Sequence, residues 1–411
     1  MAKPRGFEKP AGVRDYLPHV VAKLRHVELR VLDCMRRWGY EQIMTPTMEY
    51  YDTVGVASAT SDSKLFKLLN NRGMTLVLRS DMTAPIARVA ASLLRDAPLP
   101  LRLSYHANVF RAIEEEAGRE AEFFQTGVEL IGDPSPEADA EVVALAIASL
   151  QAAGVERFKI AIGHVGFLNG LLGEKLSGNA DAQEELKAHL LRRDHVGYRE
   201  RLRSLGLDPQ AERDLEDILR LRGRRETCRQ AKDLSSDPSA RQAIDHLCAI
   251  WDVLDAYGVT EHVLIDLTMI GDFSYYTGMT FEGYAADLGF PVASGGRYDN
   301  LLAQFGRPAP ATGFALKTTR ILDLVDVGAD DTGRGRVLIG YDDAGRTAAL
   351  AEAGRLRAEG LVAVTARMTA AEAEALKRLR REDGPIRYNG AAYERFERFF
   401  GPSAAGGDGG A

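Results

Sequence analysis

The sequence predicts an α+β fold, with antiparallel strands and helices in separate stretches rather than in strict alternation. Three observations carry that reading. Residues 102–132, RLSYHANVFRAIEEEAGREAEFFQTGVELIG, read as two apolar-rich runs joined by a charged loop, a long antiparallel hairpin. Residues 173–257 are rich in Leu, Arg, Glu and Asp and read as helical throughout, a helical insertion of ordinary domain size. Residues 336–368 read as strand, helix, strand, one βαβ unit opening a small C-terminal α/β region.

Taken in order, the chain begins with MAKPRGFEKPAGVRDYLP, which has charges and prolines but no apolar core, so it is no signal peptide. A helix follows Pro18. Val20, Leu24, Val27, Val31, Met35 and Trp38 recur at helical spacing and make one apolar stripe, suited to core packing or to a dimer interface. Gly39 ends it, and GYEQIMTPTMEYYDT continues as an extended run. TLVLR, residues 75–79, reads as a short strand. Asp81 then precedes a helix with Pro85 in its first turn. Asp81 serves either as a carboxylate facing the helix dipole or as a ligand-facing acid at a strand end.

In the second run of the hairpin, Phe124, Val128 and Leu130 share one face with Thr126, while Gln125, Gly127 and Glu129 share the other. That alternation predicts one core face and one polar surface. Glu129 stands out, because a carboxylate inside an apolar strand is costly without a partner. Beyond the hairpin come the helix DPSPEADAEVVALAIASLQAAG, the strand and turn ERFKIAIGHVGF, and the insertion. Strand pattern resumes with HVLIDLT, SYYTGMTFEGYA and GFPVASGGRYDNLL, and ATGFALKTTRILDLV closes the region. Adjacent Gly295 and Gly296 mark a close backbone approach or a bulge. The expected division is 1–172 with 258–325 as one core, 173–257 as the insertion, 335–399 as a shortened C-terminal α/β region, and 400–411 as a disordered Gly/Ala tail.

Composition bounds the function. The 411 residues allow two or three domains, and 45% hydrophobic with 27% charged residues is ordinary for a globular protein. A formal charge of −7 argues against a broad nucleic-acid surface. No apolar run is long enough to span a membrane. Cys34, Cys228 and Cys248 form no CxxC pair and read as reduced, cytosolic thiols. There is no GxxxxGK[ST], no GxGxxG after a strand and no HExxH, and the scattered histidines show no ligand spacing; neither cofactor nor metal is expected.

Together the landmarks resemble a class II aminoacyl-tRNA synthetase core of the histidyl-tRNA synthetase lineage. GVRDYLP with the long helix and GYEQIMTP resembles the first class motif, which forms the dimer interface there. LRSDMTAPIAR, RLSYHANVFR and EFFQTGVELIG resemble the second. SYYTGMTFEGY, SGGRYDNLL and GFALKTTR resemble the histidine-binding loops and third motif, so the likeness spans residues 6–325. It implies a six-stranded antiparallel sheet flanked by helices, with a histidine-shaped pocket. Asp81 and Thr83 would take the ligand's ammonium, Arg111 and Gln125 its carboxylate, and Glu129 its imidazole, with the phenol of Tyr275 or Tyr276 nearby. Adjacent tyrosines point to opposite faces, so only one of the two lines the pocket. Arg111 is also placed to pair with a loop glutamate.

The catalytic parts of that family are missing. FRAI stands where FRxE would be, so Ile113 replaces the glutamate that grips adenine. The loop carries Glu114, Glu115, Glu116, Glu120 and Glu122, and each close carboxylate–phosphate pair repels by about 1 kcal/mol even in water. GDFSYY places Gly271 where the family's activating arginine belongs. Lys317 replaces a glycine beside the adenine site, although Arg320 keeps its position. The C-terminal region reads as a shortened anticodon-binding domain, or as an intact divergent one. A synthetase body that keeps the histidine pocket but loses ATP handling resembles the regulatory-subunit family of ATP phosphoribosyltransferase. The resemblance implies a non-catalytic chain that dimerises and partners a short-form catalytic subunit in a hetero-octamer. It would serve the first step of histidine biosynthesis and mediate feedback by histidine. The rivals are an active histidyl-tRNA synthetase, another amino-acid adenylating enzyme, and an inert scaffold.

Overall fold

A computed structural model describes residues 6, 8–112, 120–269, 276–286, 288–326, 335–378 and 384–401. The chain divides into two compact units, Met1–Val327 and Gly328–Ala411.

The first unit opens with α1 (Pro18–Arg37), which has proline at its first position, where the missing N–H costs nothing. Leu24, Val27, Val31 and Met35 of its stripe are buried in the chain's own core. Gly39, at φ +84°, supplies the left-handed turn after the helix. Next come β1 (Glu41–Gln42) and a small antiparallel sheet of β2 (Met48–Tyr50), β3 (Lys67–Leu69) and β4 (Thr75–Leu78), with β4 in the middle. α2 (Thr83–Ala91) leads into β5 (Leu101–Phe110) and β6 (Glu122–Ile131), whose antiparallel pairing runs from Leu101↔Ile131 to Phe110↔Glu122. α3 (Pro136–Ala152) follows, capped by Ser135, and then β7 (Phe158–His164).

Residues 165–256 hold α4 (Val165–Lys175), α5 (Ala180–Leu191), α6 (His195–Ser204), α7 (Pro209–Asp217), α8 (Glu226–Lys232) and α9 (Pro238–Ala256). The stretch is not helical throughout. A two-residue strand, β8 (Arg222–Gly223), pairs with β9 (Val263–Asp266), and Arg222 Nε donates to Asp266 Oδ2 at 2.9 Å. Two residues carry no readable period, so periodicity alone misses such a strand. Leu186, Leu202, Leu215, Ile244 and Leu247 from these helices share one hydrophobic cluster with Ile160 and Ile162 of β7. The unit closes with β10 (Met279–Ala285), β11 (Ala293–Arg297), β12 (Ala311–Lys317) and α10 (Thr318–Ile321).

The large sheet has nine strands in the order β1-β5-β6-β12-β11-β10-β7-β9-β8. From β5 to β7 six neighbours pair antiparallel, matching the expected sheet. β1 and β9 extend it at either side through parallel pairs. Val128 and Leu130 of β6 pack into the cluster that contains α1, α3 and α9 residues. The opposite face of β6 is not the polar surface that alternation suggested. Gln125 and Glu129 are 3% and 2% exposed, because a second cluster built from Met82, Ile86, Leu103, Tyr105 and Tyr298 covers that side.

In the second unit, β13 (Arg336–Tyr341), α11 (Arg346–Ala358) and β14 (Val362–Arg367) form a parallel βαβ unit. After α12 (Ala370–Arg378), a hairpin of β15 (Ile386–Tyr388) and β16 (Ala391–Tyr393) turns through Asn389 and Gly390, both at positive φ. β17 (Arg395–Phe399) then pairs parallel with β13. Residues 402–411 of the tail lie outside the described residues. Among the described residues no helix is long and apolar enough to cross a membrane.

Candidate functional site

The site forms on the covered face of the large sheet, where glycines make room for a carboxylate. Gly313 of β12 lies opposite Glu129 of β6. A Cβ at Gly313 would come within 2.0 Å of Glu129 Oε2, and one at Gly127 would meet Phe314 O at 2.1 Å and the Tyr105 hydroxyl at 2.5 Å. Gly296 gives way to the ring of Tyr276, which a Cβ there would approach to 2.9 Å. Glycine is required at these positions by close approach of a neighbour.

Glu129 accepts a hydrogen bond from Thr83 Oγ1 at 2.8 Å on one oxygen and from the Tyr298 hydroxyl on the other. Among the described residues these two hydroxyls are its hydrogen-bond partners and no cation pairs with it. Burial pushes the Glu129 carboxyl up to about 8; the two hydroxyls pull it down in part, and the charge of Asp81 adds to the rise.

Asp81 lies at the entry to α2 and is itself buried. One oxygen accepts from the Ala84 amide at 3.2 Å and the other from Ser58 Oγ at 2.7 Å. The carboxylate therefore steadies the first turn of the helix while its charge reaches Glu129. Arg111 donates Nε to the carbonyl of Ser80 at 3.0 Å and lies over the Phe123 ring. Tyr105, fully buried, lies in the field of Glu129, Asp81, Tyr276 and Arg111; burial first and then these acids hold its phenol well above its usual range.

The structure thus brings together Asp81, Thr83, Glu129, Arg111 and Tyr276. Gln125 shares their face of β6 by register, and its buried Oε1 has no hydrogen-bond partner among the described residues. Tyr275, Gly271, Ile113, Glu114, Glu115 and Glu116 lie outside the described residues. Of the remaining acids at that loop, Glu120 is paired with Arg14 at 3.0 Å and Glu122 accepts from Asn108 Nδ2 at 2.8 Å. Arg320 donates Nη1 to the Pro291 carbonyl at 2.8 Å and lies over the Phe290 ring. No group of His, Cys, Asp and Glu among the described residues could hold a metal ion.

Sequence reading missed Tyr298, Tyr105 and Ser58. Tyr298 was within reach. It stands two residues beyond Gly296, on the same side of an extended strand, inside the SGGRYDNLL run already singled out for its glycines.

Compared with known proteins, residues 12–321 match the family described as histidyl-tRNA synthetase. The ATP phosphoribosyltransferase regulatory subunit of Geobacillus kaustophilus is 51% identical over 319 residues, 78% of this chain and 81% of that protein. The protein of the same name from Bacillus subtilis is 50% identical over 77% of this chain and 81% of its own length. The chain belongs to the histidyl-tRNA synthetase family and, within it, to the ATP phosphoribosyltransferase regulatory subunits. A crystal structure from Bacillus halodurans, titled ATP phosphoribosyltransferase regulatory subunit/histidyl-tRNA synthetase, is 41% identical. It covers 98% of this regulatory-subunit family member and 100% of its own chain, with a TM-score of 0.86. Histidyl-tRNA synthetase from a Nostoc species shares the fold at 20% identity, with a TM-score of 0.76 over 91% of this chain and 90% of its own.

Proposed function

We propose that the chain is the regulatory subunit of an ATP phosphoribosyltransferase, serving the first step of histidine biosynthesis without catalysing a reaction itself, and that its buried site takes free histidine. The observation that carries the reading is Glu129, a carboxylate 2% exposed that is met by two hydroxyls and no cation among the described residues. An ionised group so placed is costly, and a ligand N–H such as an imidazole's would offset that cost. Asp81 and Thr83 offer an acid and a hydroxyl for the ammonium. Arg111, Gln125 and Tyr276 stand around them, with Tyr275 the other phenol next to the pocket in sequence.

Absence of adenylation rests on the sequence. Gly271 has no guanidinium to offer where the family's activating arginine belongs, and the acidic loop opposes a triphosphate. The partner is a short-form catalytic subunit, assembled with it in a hetero-octamer. Self-association as a dimer is supported by exposed apolar residues in and just after α1: Leu29 at 68%, Met44 at 85% and Met48 at 57%. Three free thiols support a cytoplasmic setting.

Histidine feedback requires that the ligand favour one state of the complex over another, and the coupling is reciprocal. Co-purification with the catalytic subunit, followed by native mass measurement with and without histidine, tests the assembly. A stable mixed oligomer is expected. Two separate homo-oligomers at micromolar concentrations would overturn it.

A further inference from the structure

Behind the pocket lies a buried charge network that ties it to α9. Asp139 of α3 is fully buried, and its Oδ2 receives two donors, His246 Nε2 of α9 at 2.8 Å and Arg297 Nε of β11 at 3.0 Å. Its Oδ1 has no hydrogen-bond partner among the described residues. Arg297, 4% exposed, also donates Nη1 to the Asp133 carbonyl at 3.1 Å and to Asp299 Oδ1 at 3.2 Å. A guanidinium held at so many points fixes the backbone that carries it.

That backbone carries Tyr298 and is bonded to the segment that carries Tyr276. Arg297 is followed by Tyr298, whose hydroxyl binds Glu129. The Arg297 carbonyl accepts the Thr277 amide at 2.8 Å, and Thr277 follows Tyr276. Asp299 closes the loop, its amide donating to Thr277 Oγ1 at 3.0 Å and its carboxylate accepting the Ala311 amide at 3.2 Å.

We propose that His246 is a positioning residue for the amino-acid pocket: through Asp139 and Arg297 it sets where Tyr298 and Tyr276 stand against Glu129, and it makes α9 the element through which movement of the helical region is felt by the ligand. The proposal rests on the reading of the pocket as a histidine site. Without the imidazole, Arg297 is the one donor to Asp139 left among the described residues, and a buried pair that loses a third member shifts to recover its hydrogen bonds.

The test uses the full chain with His246→Leu and His246→Gln, the second retaining an N–H donor toward Asp139. Calorimetry with free histidine should show His246→Leu weakened roughly tenfold and His246→Gln within about threefold of the parent, the scale set by one buried polar group losing its partner. Amide hydrogen exchange without ligand is the second arm. Tyr298 and Asp299 should exchange faster in His246→Leu and return toward the parent rate in His246→Gln. If the parent binds no histidine, the pocket reading fails and the exchange arm alone decides the network. Unchanged exchange at Tyr298 and Asp299 in His246→Leu, or equal loss in both variants, would overturn the proposal.

Discussion

The Tyr298 hydroxyl donates to Glu129 Oε2 on the covered face of the large sheet, while Thr83 takes the other oxygen at 2.8 Å. This pairing keeps a carboxylate buried among neutral donors, ready for a further one. Tyr298→Phe removes that donor and leaves the residue's volume in place. Free histidine should then bind roughly tenfold more weakly, and the chain should lose about 1–3 kcal/mol of stability by denaturant unfolding. Glu129→Ala should abolish detectable binding by calorimetry. Equal affinity in Glu129→Ala and the parent would remove Glu129 from the site.

The elevated Glu129 carboxyl gives a pH signature. Its folded value of about 8 lies above the ordinary 4.5, so between those values the folded chain holds a proton that the unfolded chain has released. This group therefore lowers stability as pH rises from about 4.5 to 8, and adds no further change above that window. An imidazole N–H on Glu129 favours the ionised form, so histidine binding near neutrality should release a proton from this group. Calorimetric enthalpies measured in buffers of different ionisation heat check the release, and Glu129→Gln should remove this contribution.

Two glycines of one unit should respond in opposite directions to alanine. At Gly313 the added Cβ would meet Glu129 Oε2 at 2.0 Å, so Gly313→Ala should destabilise by about 1–3 kcal/mol and impair histidine binding. Gly173 of α4 has nothing within 4 Å of such a Cβ, so Gly173→Ala should leave binding intact and add up to about 1 kcal/mol through helix propensity. Thermal melts of both variants with and without histidine separate the cases.

The chain alone should not activate histidine. Histidine-dependent exchange of pyrophosphate into ATP is expected to stay at background on the proposed reading, in which Gly271 stands where the family's activating arginine belongs and the run Glu114–Glu116 opposes phosphate. Robust exchange would favour the synthetase reading, in which Arg320 retains a role.

Much of this architecture was legible because it depends on period and punctuation. The β5–β6 hairpin showed in the alternation of Gln125 to Leu130, and α1 in its stripe. Burial of the Gln125–Glu129 face was not legible, since what covers it comes from Met82, Ile86 and Tyr298, far off in sequence. Glu129 stood out as a charge that needed a partner, yet the partner itself, Tyr298, lies 169 residues away. β8 was too short to show a period. The Asn-Gly pair at 389–390 is a readable hairpin signal that the reading of the C-terminal region does not use.

The most direct measurement is the phosphoribosyl-transfer rate of a short-form catalytic subunit with and without this chain, across histidine concentrations. Addition of the chain should raise the rate severalfold, histidine should reverse the rise, and Glu129→Gln should keep the activation but lose the response to histidine. A catalytic subunit whose rate is the same with the chain present or absent would contradict the account.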